Sequence, residues 1–187
     1  MACLKYLQKA WSTTISKGGH DSNVLSSLRL IEAKPNYLKG IITIDQKHLN
    51  NHGTIHGGVI LSLTDTVTSL SLLTLGYNLP TGLSVNISTE FVNPGGKLKD
   101  NLICISKIIK SGHNLSYLRC EFYSTLKNNQ NQNQNQIQNE LELELGKLVA
   151  YGSQTKFMKG FLKSTSFSED GKIELGLNFE GNKESKL

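Results

Sequence analysis

The chemistry-bearing residues cluster around one segment, Asn50-Asn51-His52-Gly53-Thr54-Ile55-His56-Gly57-Gly58, which runs into a helical pattern. Asp65 stands in the middle of that pattern and Ser84 on the strand-like run beyond it. A carboxylate midway along an apolar helix costs several kcal/mol unless it is partnered, so packing explains Asp65 poorly. The Gly57 amide opens the helix, where backbone donors are unpaired and the helix dipole is positive. Glycine at 57 and 58 lets a ligand approach the backbone closely. A donor aimed at the negative charge that grows on a reacting carbonyl oxygen is worth about 3–4 kcal/mol. Together these are the parts needed to add a nucleophile to a carbonyl. Plainer readings stand beside them: Asn50 bonding its own loop backbone, His56 as a satisfied half-buried histidine, Ser84 as an ordinary strand residue.

Several elements must hold these residues in place. Leu4, Leu7, Trp11 and Ile15 fit the inner face of an N-terminal amphipathic helix, followed by a loop at Lys17–Asn23. Val24–Ala33 and Tyr37–Ile44 read as strands joined by the turn Lys34-Pro35-Asn36. From Gly57, residues Ile60, Leu63, Val67, Leu70 and Leu73 recur at spacings of three and four, and Gly76 suits the helix stop. A helix apolar over so much of its surface must be largely enclosed. Leu83, Val85 and Ile87 then alternate with polar residues, and Leu102–Lys110, Leu115–Leu126 and Lys147–Met158 continue as strands, with turns at Pro94-Gly95-Gly96 and Ser111–Asn114. The simplest packing is α+β, a long central helix wrapped by an antiparallel β-sheet. Residues 128–146 read as an insertion at a hairpin tip, since the Asn/Gln run 128–139 has nothing with which to build a core. The division is 1–23 helix and loop, 24–158 folded domain, and 159–187 a peripheral tail.

Composition narrows the classes further. The chain has 187 residues, a net charge of +5 and only two arginines, Arg29 and Arg119. Scattered lysines with so little arginine argue against nucleic acid, while a modest positive field suits a small polyanion. The most apolar stretch, Val59–Leu75, is broken by Asp65 and seven Ser/Thr residues, so no membrane span is expected. Cys3, Cys104 and Cys120 form no close pair and fit a reducing compartment. His48, His52 and His56 lie four apart, but Gly53 interrupts them and no carboxylate or cysteine completes a ligand set, so no metal is expected. Lys5, Lys9 and Lys17 precede the first acid without any arginine, so the expected location is cytoplasmic, with the mitochondrion as the alternative.

The pattern N-x-x-G-T-I-H-G-G, then Asp65 in the helix, then Gly82-Leu83-Ser84-Val85-Asn86 on the next strand, resembles the PaaI-type hotdog thioesterases. It is most similar to the eukaryotic acyl-coenzyme A thioesterase thirteen group, over residues 24–158. The resemblance implies the hotdog fold and hydrolysis of fatty acyl-CoA to free acid and CoA, with CoA part of the substrate and no separate cofactor. It implies that Asn50 and His56 polarise the thioester, that Gly57 donates to its carbonyl, that Asp65 is base or nucleophile, and that Ser84 holds the water. For CoA it points to Asn86, Phe91, Phe157 and the turn Lys110, Ser111, Gly112, His113, Asn114 and Leu115, with Gly112 freeing amides for phosphate. Gly57 and Asp65 are eight residues apart on one helix, about 12 Å of rise, too far for one water to serve both. A homodimer sharing its active sites is therefore expected, and the family resemblance extends this to a homotetramer. A hotdog hydratase or dehydratase and a non-catalytic acyl-CoA sensor remain the alternatives, because the fold alone separates none of them.

Overall fold

The computed structural model describes residues 1–126 and 144–177, so the Asn/Gln run lies outside the described residues. In chain order come α1 (Ala2–Ser16), α2 (His20–Val24), β1 (Leu28–Lys34), β2 (Tyr37–Thr43), α3 (Gly57–Ser71), β3 (Leu83–Phe91), β4 (Asn101–Ser111), β5 (Leu115–Thr125) and β6 (Leu145–Phe157). The strands make one antiparallel sheet in the order β1-β2-β4-β5-β6-β3, curled around α3. This is the α+β hotdog architecture expected.

The apolar stripe of α3 (Ile60, Leu63, Val67, Leu70) meets Leu38, Ile42, Leu102, Cys120 and Phe122 in one core. Burying a side chain such as Phe122, which has no exposed surface, contributes about 1.5–3 kcal/mol. The many Ser and Thr residues of α3 are tolerated because their hydroxyls bond the helix's own carbonyls: Thr64 to Ile60 (3.0 Å), Thr68 to Thr64 (2.7 Å), Ser71 to Thr68 (2.6 Å). The span Gly57–Leu75 has the length and hydropathy of a membrane helix, but two-thirds of it is buried inside the sheet, and it is the core helix. Its last turn tightens into 3-10 helix at Leu72–Leu75, and Gly76, with φ of 84°, ends it. A Cβ at Gly76 would lie 1.7 Å from the Thr165 carbonyl oxygen. Gly152 of β6 lets α3 approach the sheet, since a Cβ there would sit 2.5 Å from Thr64 Cγ2.

The two edges of the sheet differ. α1 covers β1, with Trp11 Nε1 donating to Leu28 O (3.0 Å) and Gln8 Nε2 to Leu30 O (2.9 Å). β3 pairs only with β6 among the described residues, and its Leu83 and Val85 are each 62% exposed. An unpaired, apolar edge strand is a template for another strand.

Three expectations need correction. The loop expected at Lys17–Asn23 contains a helix, α2, and β1 starts at Leu28 rather than Val24. Contacts to α3 override the strand preference there: His20 Nε2 bonds Ser62 Oγ (2.9 Å) and Thr66 Oγ1 donates to Asp21 Oδ1 (3.2 Å). The turn Pro94–Gly96 does not join neighbouring strands, because β3 and β4 lie apart in the sheet and the segment between them crosses over. Nor is the described part of the tail merely peripheral. Phe167 is buried against Tyr6, ring centroids 5.5 Å apart, and the Gly171 and Lys172 carbonyls accept the Cys3 and Ala2 amides (3.0 and 3.2 Å), which α1 leaves unpaired.

Candidate active site

Asp65 is half-buried on the face of α3 that looks toward β3 and β6. Three donors reach the same oxygen: Gln154 Nε2 to Oδ1 (2.5 Å), Ser84 Oγ to Oδ1 (3.4 Å) and Ser69 Oγ to Oδ1 (3.4 Å). None of these bonds falls on Oδ2. Gln154 Nε2 also donates to Ser84 Oγ (2.8 Å), and Lys156 Nζ donates to Ser69 Oγ (2.6 Å). Burial holds the Lys156 ammonium below the ordinary lysine value, while the Asp65 carboxylate pulls in the opposite direction. The carboxylate thus carries the partners its position demands, with one oxygen anchored and one left to act.

The start of α3 forms a second cluster. His56 is the N-cap, and its Nδ1 accepts the Gly58 amide (2.8 Å). That bond makes Nδ1 the acceptor, so the neutral ring carries its hydrogen on Nε2 and presents a donor outward. Among the described residues the Gly57 amide has no acceptor, as expected of a donor at the helix start. The Phe91 ring covers Gly57 closely enough that a Cβ there would lie 3.1 Å from Phe91 Cζ. Asn50 is committed to its own loop: Oδ1 accepts the His52 and Thr54 amides (2.9 and 3.2 Å) and Nδ2 donates to Thr54 Oγ1 (3.0 Å). Asn50 therefore shapes the loop that leads to His56, and one Nδ2 hydrogen remains for a ligand.

Within one chain the fold brings Asp65 and Ser84 together, and separately His56 and Gly57, with two helical turns between the pairs. The residues expected at CoA scatter more. A β-bulge between Ser84 and Asn86 leaves Ser84 on the α3 side and turns Asn86 to the outer face opposite Thr155, while Phe91 stands beside Gly57. Leu115 and Phe157 face each other across β5 and β6, level with Leu83, and form an exposed apolar row. Lys110, Ser111, Gly112 and His113 line an open cleft of ≈ 580 Å³ with Tyr77 and Lys163. The Gly112 amide is not available to phosphate, because it donates to Leu115 O (2.9 Å) and closes the hairpin. Ser111 Oγ bonds Ser116 Oγ (2.8 Å) and His113 Nδ1 bonds Asn114 Oδ1 (2.9 Å), so Lys110 is the turn's charged group for an anion.

Sequence reasoning missed Gln154, Lys156, Ser69 and Thr68. The signal was there: Thr68 and Ser69 lie three and four residues after Asp65 on the helix, and Gly152, Gln154 and Lys156 alternate on the strand face that period two assigns to the core. Of the other histidines, His48 is fully buried, with Nδ1 accepting the Asp45 amide (2.8 Å) and Nε2 bonded to Val24 O (2.6 Å). Among the described residues no three His, Cys, Asp or Glu side chains converge as a metal set.

A carboxylate set on a helix enclosed by a six-stranded antiparallel sheet defines the class: this is a hotdog-fold protein. Residues 52–125, which take in His56, Gly57, Asp65 and Ser84 but not Asn50, match the thioesterase superfamily. Acyl-coenzyme A thioesterase 13 of Homo sapiens is 25% identical over 144 residues, 77% of this chain and 89% of that protein. Thioesterase superfamily member 2 of zebrafish superposes with a TM-score of 0.64 at 20% identity, covering 83% of this chain and 97% of that one. A Streptococcus mutans protein, solved bound to acetyl CoA, does so with a TM-score of 0.56 at 19% identity, covering 73% and 91%. These matches bear out the resemblance read from the sequence to hotdog thioesterases.

Proposed function

We propose that the protein is an acyl-CoA thioester hydrolase whose sites are shared between two copies of the chain. The observation that carries this reading is the asymmetric anchoring of Asp65, all three donors on Oδ1 and none on Oδ2, beside the Ser84 hydroxyl. A water held by Ser84 gives a proton to Asp65 Oδ2 as its oxygen attacks the thioester carbon. The carbonyl oxygen takes up the negative charge against the Gly57 amide and the His56 Nε2–H of the other copy, with Asn50 Nδ2 adjacent. The tetrahedral intermediate then breaks its C–S bond, releasing the free acid and the CoA thiolate, which takes the proton held on Asp65 and so restores the carboxylate. No metal or further cofactor enters these steps.

The exposed edge of β3 supports the shared arrangement, because pairing two such edges sets the Asp65 of one copy toward the α3 start of the other. The names of the relatives support acyl-CoA as substrate, and Lys110 with the apolar row Leu83, Leu115 and Phe157 offers a charged and an apolar surface at one end of the sheet. The test is release of free thiol from a panel of acyl-CoAs by purified protein without added metal. Turnover of medium- to long-chain substrates, lost by at least about a hundredfold in Asp65→Asn, is expected. No release across the panel, with CoA binding still measurable, would identify a sensor instead.

A further inference from the structure

We propose that Gln154 is a positioning residue that orients the Asp65 carboxylate and the Ser84 hydroxyl for the same hydrolytic step. The proposal rests on the reading above and adds a residue outside the motif that carries the family resemblance. Gln154 has no exposed surface and stands on β6, opposite the middle of α3. Both hydrogens of its amide nitrogen are spent inside the site, one on Asp65 Oδ1 (2.5 Å) and one on Ser84 Oγ (2.8 Å). Its carbonyl oxygen accepts from Thr68 Oγ1 (2.5 Å), one turn beyond Asp65 on the same helix.

The direction of the amide follows from its neighbours. A carbonyl oxygen at 2.5 Å from a carboxylate oxygen would be strongly repelled, so the nitrogen must face Asp65. The oxygen then faces Thr68, whose one hydroxyl proton it shares with the Thr64 carbonyl. Gln154 therefore bridges α3 to the β3 edge strand and holds Oδ1 from the side away from Oδ2. Because Ser84 Oγ accepts from Gln154, its own proton is directed to Asp65 at a loose 3.4 Å or to a water beside it. A neutral amide does this without competing for the proton that Asp65 has to take. The charged group that β6 turns toward Asp65 is Lys156, whereas β3 contributes uncharged Ser84 and α3 contributes Ser69 and Thr68.

The test uses the full chain, three variants and a stability cycle. Gln154→Met keeps the length and loses both ends of the bridge; kcat should fall about 10–100-fold, the range of a hydrogen bond to a charged group, with KM within about twofold. Thr68→Val removes the Thr68 bond to the amide oxygen, leaving Ser69 Oγ at 3.5 Å, together with the bond to the Thr64 carbonyl, and should lower kcat about three- to tenfold in the same pattern. Gln154→Glu sets a second carboxylate against Asp65, so the acid limb of the pH–rate profile should move to higher pH, which a packing defect would not cause. A double-mutant cycle of Gln154→Met with Asp65→Ala, which leaves Gln154 no acceptor at position 65, should show coupling of about tenfold in the unfolding constant, whatever the substrate. Wild-type protein inactive on every acyl-CoA would end the hydrolase reading while the cycle still reports on Gln154. Absent coupling, kcat unchanged in Gln154→Met, or a KM rise at constant kcat would each overturn the positioning role.

Discussion

Complementation between two inactive variants tests the shared site most directly. Asp65→Asn preserves shape and can still accept from Gln154, but it cannot take a proton at the second position. Gly57→Pro removes one amide donor and little else. His56 already has φ of −69° and ψ of 136°, the extended conformation that a residue before proline prefers, and proline is at home in the first helical turn. Its Cβ would come 3.1 Å from Phe91 Cζ, and that ring is 58% exposed and free to give way. Losing an oxyanion donor lowers kcat about 10²–10³-fold and losing the base at least about a hundredfold, so each parent should retain roughly 1% of wild-type activity or less. Random exchange makes about half of the dimers mixed, each with one intact site in two, so the mixture should reach about a quarter of wild-type activity. The assay is thiol release before and after subunit exchange, with native mass spectrometry counting heterodimers. If heterodimers form and activity stays at the parental level, Gly57 and Asp65 of different chains do not act together.

Three further outcomes follow from the packing. Gly152→Ala should destabilise the fold by about 1–3 kcal/mol in urea titration, because its Cβ meets Thr64 Cγ2 at 2.5 Å and the Ser88 carbonyl oxygen at 3.0 Å. Burial raises the Cys3 thiol to about 12 and pushes the Cys104 and Cys120 thiols up as well. The stability these neutral thiols contribute is complete below pH 9 and is lost as pH rises toward 12, so the urea midpoint should fall across that window, and less steeply in Cys104→Ala relative to its own value at pH 8. Deleting residues 128–139, outside the described region, should shift the thermal midpoint by less than about 3 °C, because Thr125 already pairs with Leu145 across the hairpin.

The α3 helix was legible because its apolar residues keep a 3.6-residue period for four turns and a glycine stops it. The strands were legible from their alternation, but their order was not, since nothing local tells β3 to skip β4 and join β6. Asp65 stood out because a carboxylate on an apolar stripe demands an explanation, whereas Ser84 is one serine among many and was singled out by resemblance alone. Gln154 lies 89 residues from Asp65, and only the sheet order makes them neighbours. α2 was hidden because its contacts to α3, rather than its own residues, hold it. Phosphate-binding amides at Gly112 were expected from the family resemblance, but a hairpin must close its own hydrogen bonds first.

The position of β6 in the chain has a consequence for how the protein is made. β3 leaves the ribosome before the strand it pairs with, and β6 follows only after β4, β5 and the insertion. Until residue 157 has emerged, β3 has no partner within the described chain, and Asp65 is exposed without the amide that anchors it. The carbonyls that cap α1, the first element synthesised, belong to Gly171 and Lys172 and arrive later still. Chains halted between β3 and β6 therefore carry an apolar strand without its partner in the sheet and a core helix that β6 has not yet covered.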